Sequence, residues 1–367
     1  MNKLLVVLPK VMSIDKIVKL MLIFVPITLL AQWLHLSHVL VFILSVLAIV
    51  SLASLIAGTT EVIASVIGPT FGGLLNATFG NLTEMVVSIV ALRAGLIEVV
   101  KASILGSVIA NLLLGLGLSM FLGGLRFKEQ KFHPEIARLN ASALLLSVLV
   151  LVTPSAIHLT STTGLLERQL QRFSVAASLL LLIFYTLTII FFNKKRQDEA
   201  DLLLLENPEA QTNHPNSMGK EISILLGLTV FLVIISEILV GNLEETIKVM
   251  GFSELFTGTF ILPLFSGIVE YITCISAGTK NQMDLSVSVA IGSTLQITLF
   301  VTPILVLISL FMQTPLTLEF NIFVIFAAVS SVLIINSISS DGSSNWLEGV
   351  LLLIFYSVLG AAFYLHP

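Results

Sequence analysis

Two carboxylates stand where ionisation is most expensive. Glu84 lies inside the apolar run GLLNATFGNLTEMVVSIVAL, residues 73–92, and Glu270 inside SGIVEYITCISAGT, residues 266–279. A charged side chain at the centre of a membrane-crossing helix costs about 2.5–3.5 kcal/mol on insertion scales. No lysine, arginine or histidine accompanies either acid within its run, so both need protons, a counter-cation or a wet cavity. Asn81, Glu84 and Ser88 follow one another at three- and four-residue steps and share one helix face. Thr78 and Asn76 add oxygens upstream, while Pro69, Gly72, Gly73 and Gly80 allow local departure from helix geometry. Around Glu270, Ser266 and Gly267 precede and Thr273 and Cys274 follow, and Pro263 can leave a carbonyl without its usual amide partner. Oxygen-only donors suit a hard cation such as calcium or magnesium rather than zinc or copper. Asn81, Thr78, backbone carbonyls and water would complete the shell around such an ion. One divalent ion neutralises both carboxylates, and protons do so when the ion leaves.

The two acids belong to an internal repeat. GNLTEMVVSIVALRAGLIEVVKASILGSVIANLLL, residues 80–114, aligns without a gap on SGIVEYITCISAGTKNQMDLSVSVAIGSTLQITLF, residues 266–300. At this fixed spacing Glu84 pairs with Glu270, Glu98 with Asp284, and Gly106-Ser107 with Gly292-Ser293. The chain is therefore expected to consist of two related halves. Upstream, GTTE ending at Glu61 and GNLE ending at Glu244 correspond once a short insertion is allowed. Each of these acids either guides ions and protons or is an ordinary interfacial carboxylate. Ser107, Ser293 and Gln296 are candidates for secondary oxygens, and Glu237 in the seventh apolar segment is a further buried-acid candidate. For Glu98 and Asp284 the favoured role is helix capping.

What must position these residues is a bundle of membrane helices. The 367-residue chain is 56% hydrophobic and 11% charged, with a mean hydropathy of +1.04, a composition foreign to soluble domains. Apolar stretches near the roughly 20 residues a crossing needs recur at 17–34, 39–57, 70–92, 99–122, 139–160, 173–192, 221–242, 255–279, 286–311, 319–337 and 346–364. The expected fold is an all-α membrane protein of eleven transmembrane helices: a peripheral first helix and two five-helix repeats. Five is odd, so the repeats would be inverted, an arrangement common in transporters with a site near the midplane. The expected division is a tail and first helix at 1–37, a first repeat at 38–193, an acidic linker at 194–219 and a second repeat at 220–367.

The lysines and arginines set the expected orientation. Thirteen fall on the side of the amino terminus and of the linker, five on the other, which favours a cytoplasmic amino terminus and linker and an outside or lumenal carboxyl terminus. Residues 1–16 read as a surface tail rather than a removable signal. The linker carries Asp198, Glu199, Asp201, Glu206 and Glu209 around four leucines, without ordered EF-hand spacing. A net charge of −4 and the lack of a basic patch argue against nucleic acid as partner. The lone Cys274 rules out an internal disulfide. The scattered histidines and serines form no catalytic constellation, so enzymatic activity is not expected.

The stretches GLLNATFGNLTEMVVSIVAL, GSVIANLLLGLG and FLGGLRFKEQKF, with KNQMDLSVSVAIGSTLQITLFVTPILVL in the second half, resemble the calcium/proton exchanger family of the cation/calcium exchanger superfamily. The resemblance runs from about residue 40 to the end. It implies eleven helices, an acidic cytoplasmic connection and alternating access, in which calcium moves one way and protons the other. It also makes Glu84 and Glu270 the central carriers, puts Asn81 in the first ion-binding motif, and matches Glu61, Glu244 and Gln296 to polar positions along the path. The cargo implied is calcium and protons, with manganese or another divalent cation as further candidates and no resident cofactor. Sodium/calcium exchange on the same architecture is the alternative. One motif departs from the family pattern: Gly267 replaces an asparagine and Tyr271 a histidine, so an asymmetric ion shell is expected.

Overall fold

The computed structural model describes residues 20–67, 72, 75–76, 78–160, 167–206, 218–312 and 315–365, the side chains of 192–206 excepted. The expected surface tail, Pro69, Gly73 and the acidic side chains of the linker lie outside the described residues.

In chain order the helices are α1 (Phe24–Trp33), α2 (His38–Ile67), α3 (Leu82–Arg93), α4 (Ile97–Phe127), α5 (Pro134–Thr160), α6 (Glu167–Glu206), α7 (Met218–Gly241), α8 (Leu243–Met250), α9 (Glu254–Ser266), α10 (Ile268–Thr279), α11 (Met283–Ser309), α12 (Ile322–Ile338) and α13 (Trp346–Leu365). Among the described residues, α2, α4, α5, α6, α7, α11 and α13 are each long and apolar enough to cross a membrane, and α8 with α9 passes the same test as a pair bent by 115°. The protein is thus a mostly helical, multi-pass membrane protein. Two short strands, β1 (Glu129–Lys131) and β2 (Ser343–Asn345), pair antiparallel with Gln130 opposite Ser344, tying the α4–α5 connection to the α12–α13 connection.

Helix α4 is the axis of the bundle: 83% of its apolar window is buried, against 22% for α13. Its first half packs on α9 and α12, its second half on α10 and α13, while α2 lies along α7, and α11 lies against α5 and α6. Helices α4 and α9 approach closely. A Cβ on Gly106 would strike the backbone of Thr259, and one on Gly258 would strike Ala102 and the carbonyl of Val99. Outward faces of α6 and α7 carry exposed Leu180, Ile183, Leu187, Leu226 and Val230, surfaces suited to lipid rather than water.

The segments that hold the two acids are not continuous spans. The third apolar run breaks at a turn through Gly80 and Asn81, and helix resumes only at Leu82. The eighth breaks at Gly267 (φ −88°, ψ 14°), between α9 and α10. Hydrophobicity reads through such breaks because the flanking residues stay apolar. Helices α3 and α10, and likewise α4 and α11, begin at the same spacing of residues that pairs Glu84 with Glu270. A π turn interrupts α4 at Ala110–Gly115, α9 at Thr257–Ile261 and α11 at Ile297–Val301.

Two further expectations shift. Helix α2 runs on to Ile67, ten residues past its expected end at 57, and α6 continues to Glu206. The start of the expected linker is therefore helical, in keeping with the strong helix formers Lys194, Lys195, Arg196, Ala200 and Leu202–Leu205.

Candidate functional site

Both central acids occupy the first turn of a helix that restarts after a break. Glu84 is the third residue of α3 and Glu270 the third of α10. The helix dipole favours negative charge there by about 0.3–1 kcal/mol, less than the cost of holding that charge in hydrocarbon. The two carboxyl groups are close enough for Glu84 to feel the charge of Glu270. Glu84 is buried, at 8% exposure. Glu270 is half-buried, yet its Oε2 atom is closed off from solvent.

The break also frees Asn81. It stands at the N-cap of α3 but makes no capping bond; its Nδ2 instead donates to Gln296 Oε1 on α11. That bond fixes which way the amide faces and leaves Asn81 Oδ1 buried with no donor among the described residues. Glu84 Oε2, Glu270 Oε2 and Asn111 Oδ1 are in the same condition. Asn111 belongs to the π turn of α4, which packs on α10 and α11.

Many buried hydroxyls elsewhere are satisfied locally, although those of Thr60, Ser178, Tyr185, Ser236, Thr257, Thr259 and Ser344 are also left unpaired among the described residues. Ser45 donates to Val41 O, Thr294 to Ala290 O and Ser331 to Ala327 O, each four residues back. A buried polar atom left unpaired costs about 1–3 kcal/mol. Carboxylate and carboxamide oxygens are ligands that a hard cation takes, and protons can satisfy the carboxylates in part. Among the described residues no group of three or more His, Cys, Asp and Glu side chains gathers as a metal cluster, so carboxamides and backbone would complete any shell.

A narrow crevice leads to Glu84 between α3, α4, α9 and α11, with Ser88, Ser103, Ser107 and Ser266 as its polar lining. The space it offers to water is about 20 Å³, room for roughly one water molecule. A hard cation would have to shed most of its hydration to pass.

The other sequence candidates spread out. Thr78 is half-buried just ahead of the break, and Ser293 is half-buried on α11 outside the crevice lining. Glu61 is exposed on α2 and Glu244 exposed on α8. Glu237 is not a buried acid: its side chain is exposed and pairs with Arg93 at 3.7 Å. It falls on the outer side of α7, which apolar periodicity does not separate from the inner one. Asn111 was not singled out from the sequence, though a solitary carboxamide inside the apolar run SVIANLLLGLG is a signal that could have found it.

Comparison with known proteins places this geometry among relatives. A family model described as sodium/calcium exchanger protein matches residues 37–193 and 220–365. The chain is 47% identical over 358 residues to a protein of Aphanothece halophytica named Ca(2+)/H(+) antiporter, covering 95% of this chain and 96% of that one. It is 44% identical over 367 residues to a Synechocystis protein of the same name, covering 96% and 98%. The solved structure of native YfkE superposes with a TM-score of 0.82 at 33% identity, covering 96% of this chain and 100% of that one.

Proposed function

We infer the function from one premise and one observation: the chain belongs to the sodium/calcium exchanger protein family, and its bundle buries Glu84, Glu270, Asn81 and Asn111 with unpaired oxygens. It is a secondary antiporter that exchanges calcium ions for protons across a membrane. The close relatives named as Ca(2+)/H(+) antiporters support the choice of cargo. Glu84 and Glu270 carry ion and proton alternately, and Asn81, held by Gln296, adds a neutral oxygen to the shell.

The cycle follows from charge. With calcium or protons bound, the carboxylates are neutralised and the crevice can close and reopen on the opposite side. Empty and doubly ionised, the site would bury two uncompensated charges, and that cost suppresses the return step without cargo. Coupling is this penalty. We read the architecture as eleven crossings: a tail and peripheral first helix within 1–37, and two inverted repeats at 38–193 and 220–367 joined by a cytoplasmic linker at 194–219. The shared helix spacing and the two matching breaks support the repeat; the arginine and lysine distribution supports a cytoplasmic amino terminus and an outside or lumenal carboxyl terminus. Manganese is a further candidate cargo.

Proteoliposomes with an imposed pH gradient and no sodium test this reading. Calcium should enter as protons leave. The description of the matched family favours a second reading, sodium-driven exchange. A strict requirement for sodium in the same assay would replace the first reading by the second.

A further inference from the structure

The two helix breaks are built differently. At the first, Asn81 brings an amide to the site; at the corresponding place in the second stands Gly267, and Met85 is matched by Tyr271. The Tyr271 side chain, 5% exposed, folds back toward the break. Its hydroxyl donates to the carbonyl oxygen of Pro263 at 2.8 Å, and the same oxygen accepts the Gly267 N–H at 3.1 Å. A carbonyl oxygen has two lone pairs, and both are now taken.

Two glycines make the slot in which the ring lies. A Cβ on Gly267 would sit 2.7 Å from the Tyr271 hydroxyl, and one on Gly115, in the π turn of α4, would meet the ring at 2.8 Å. Tyr271 directly follows Glu270 in α10, and its ring meets the π turn of α4 that also carries Asn111, so this slot borders the ion site. In the first half the residue at the break offers an unpaired oxygen; in the second, the hydroxyl fills the space a side chain at 267 would need.

We propose that Tyr271 is a specificity-determining residue: lodged between Gly267 and Gly115, it withholds the Pro263 carbonyl from the transported ion. The ion's protein oxygens then come from Asn81, Glu84 and Asn111 in the first half and from Glu270 alone in the second. Calcium takes six to eight oxygens, whereas manganese accepts an octahedron of six. Removing one neutral oxygen narrows the margin by which calcium is preferred. The inference rests on the exchange reading given above but concerns which ion the site prefers.

Equilibrium binding of calcium and of manganese to the purified full-length protein, alongside uptake into proteoliposomes, tests it. Tyr271→Phe keeps the ring and releases Pro263. It should tighten calcium binding about three- to tenfold, the worth of one hydrogen-bonding group, and raise the calcium-over-manganese ratio. Gly267→Asn should collapse binding and uptake while Tyr271 is present, and Gly267→Asn with Tyr271→Ala should restore both. An unchanged ratio in Tyr271→Phe would overturn the proposal, as would failure of the double variant to recover. Wild-type protein that binds calcium but does not exchange it for protons would instead overturn the exchange reading, leaving the binding ratios to decide the role of Tyr271.

Discussion

The side-chain amide of Asn81, in the turn ahead of α3, donates to Gln296 of α11, 215 residues further along the chain. The bond ties the turn ahead of α3 to α11 and turns Asn81 Oδ1 away from Gln296, buried and without a donor among the described residues. Three residues ahead of a buried carboxylate, an amide that uses its donor and keeps its acceptor can serve a cation; Gln130, away from the two acids, shows the same pattern in packing alone.

Gln296→Leu should therefore weaken transport without abolishing it. Asn81 would lose the bond that orients it, raising the KM for calcium by about tenfold, the scale of one oriented hydrogen bond. Asn81→Ala should do at least as much, and the double variant little more than the worse single one, because the two residues act as a unit. Initial rates of calcium uptake against calcium concentration measure all three.

Asn111 makes a related prediction. Its Oδ1 is buried and unpaired in the π turn of α4. Asn111→Leu removes an orphaned polar atom, so thermal stability should hold or rise slightly, while calcium uptake falls severalfold. A loss of stability with normal uptake would make Asn111 a packing residue.

The contact between α4 and α9 should tolerate no side chain. Gly106→Val would drive a branched side chain into the backbone of Thr259, an overpacking cost of about 1–3 kcal/mol or more. The expected result is a lower melting temperature in detergent and poor recovery as a monodisperse species. Gly227 on α7 has open space beside it, and Gly227→Ala is the matched control, expected to leave melting unchanged or slightly raised.

Glu237 and Arg93 should matter little. Their ion pair is long and more than half exposed on both sides, and exposed pairs contribute about 0–1 kcal/mol. Glu237→Gln should keep near-normal uptake. Glu61 and Glu244 are exposed, so any effect of theirs on transport is by attracting cations. Neutralising either should raise the calcium KM by about two- to threefold at low ionic strength, an effect that fades as salt screens it.

Much of the site could be read from the chain because charge in an apolar run is conspicuous. Glu84, Glu270 and Asn81 announce themselves this way, and the fixed spacing between GNLTE and SGIVE ties them together before any coordinates exist. Partners that lie far apart in sequence were harder. Gln296 stood out as a spare oxygen and as a polar position matched by the family resemblance, and nothing local says that it would hold Asn81. Gly80 marks a place where helix geometry can give way, but where the helices stop is hidden for a physical reason: Gly80-Asn81 and Gly267 interrupt helical hydrogen bonding without interrupting hydrophobicity, so a window sensitive to apolar content runs straight through. Glu237 misled in the opposite way, since an acid inside an apolar segment reads as buried whichever face of the helix carries it. The slot of Tyr271 needs three segments at once, Pro263–Gly267, Tyr271 and Gly115, and no single stretch displays it.

The account stands on the two acids sharing one pool of cargo. Simultaneous recording of calcium entry and proton exit in sealed vesicles, for wild type, Glu84→Gln and Glu270→Gln, tests this most directly. The prediction is stoichiometrically linked fluxes in wild type and loss of both fluxes together in each variant. Calcium entry at the wild-type rate in either variant, or calcium movement that continues while proton movement stops, would contradict it.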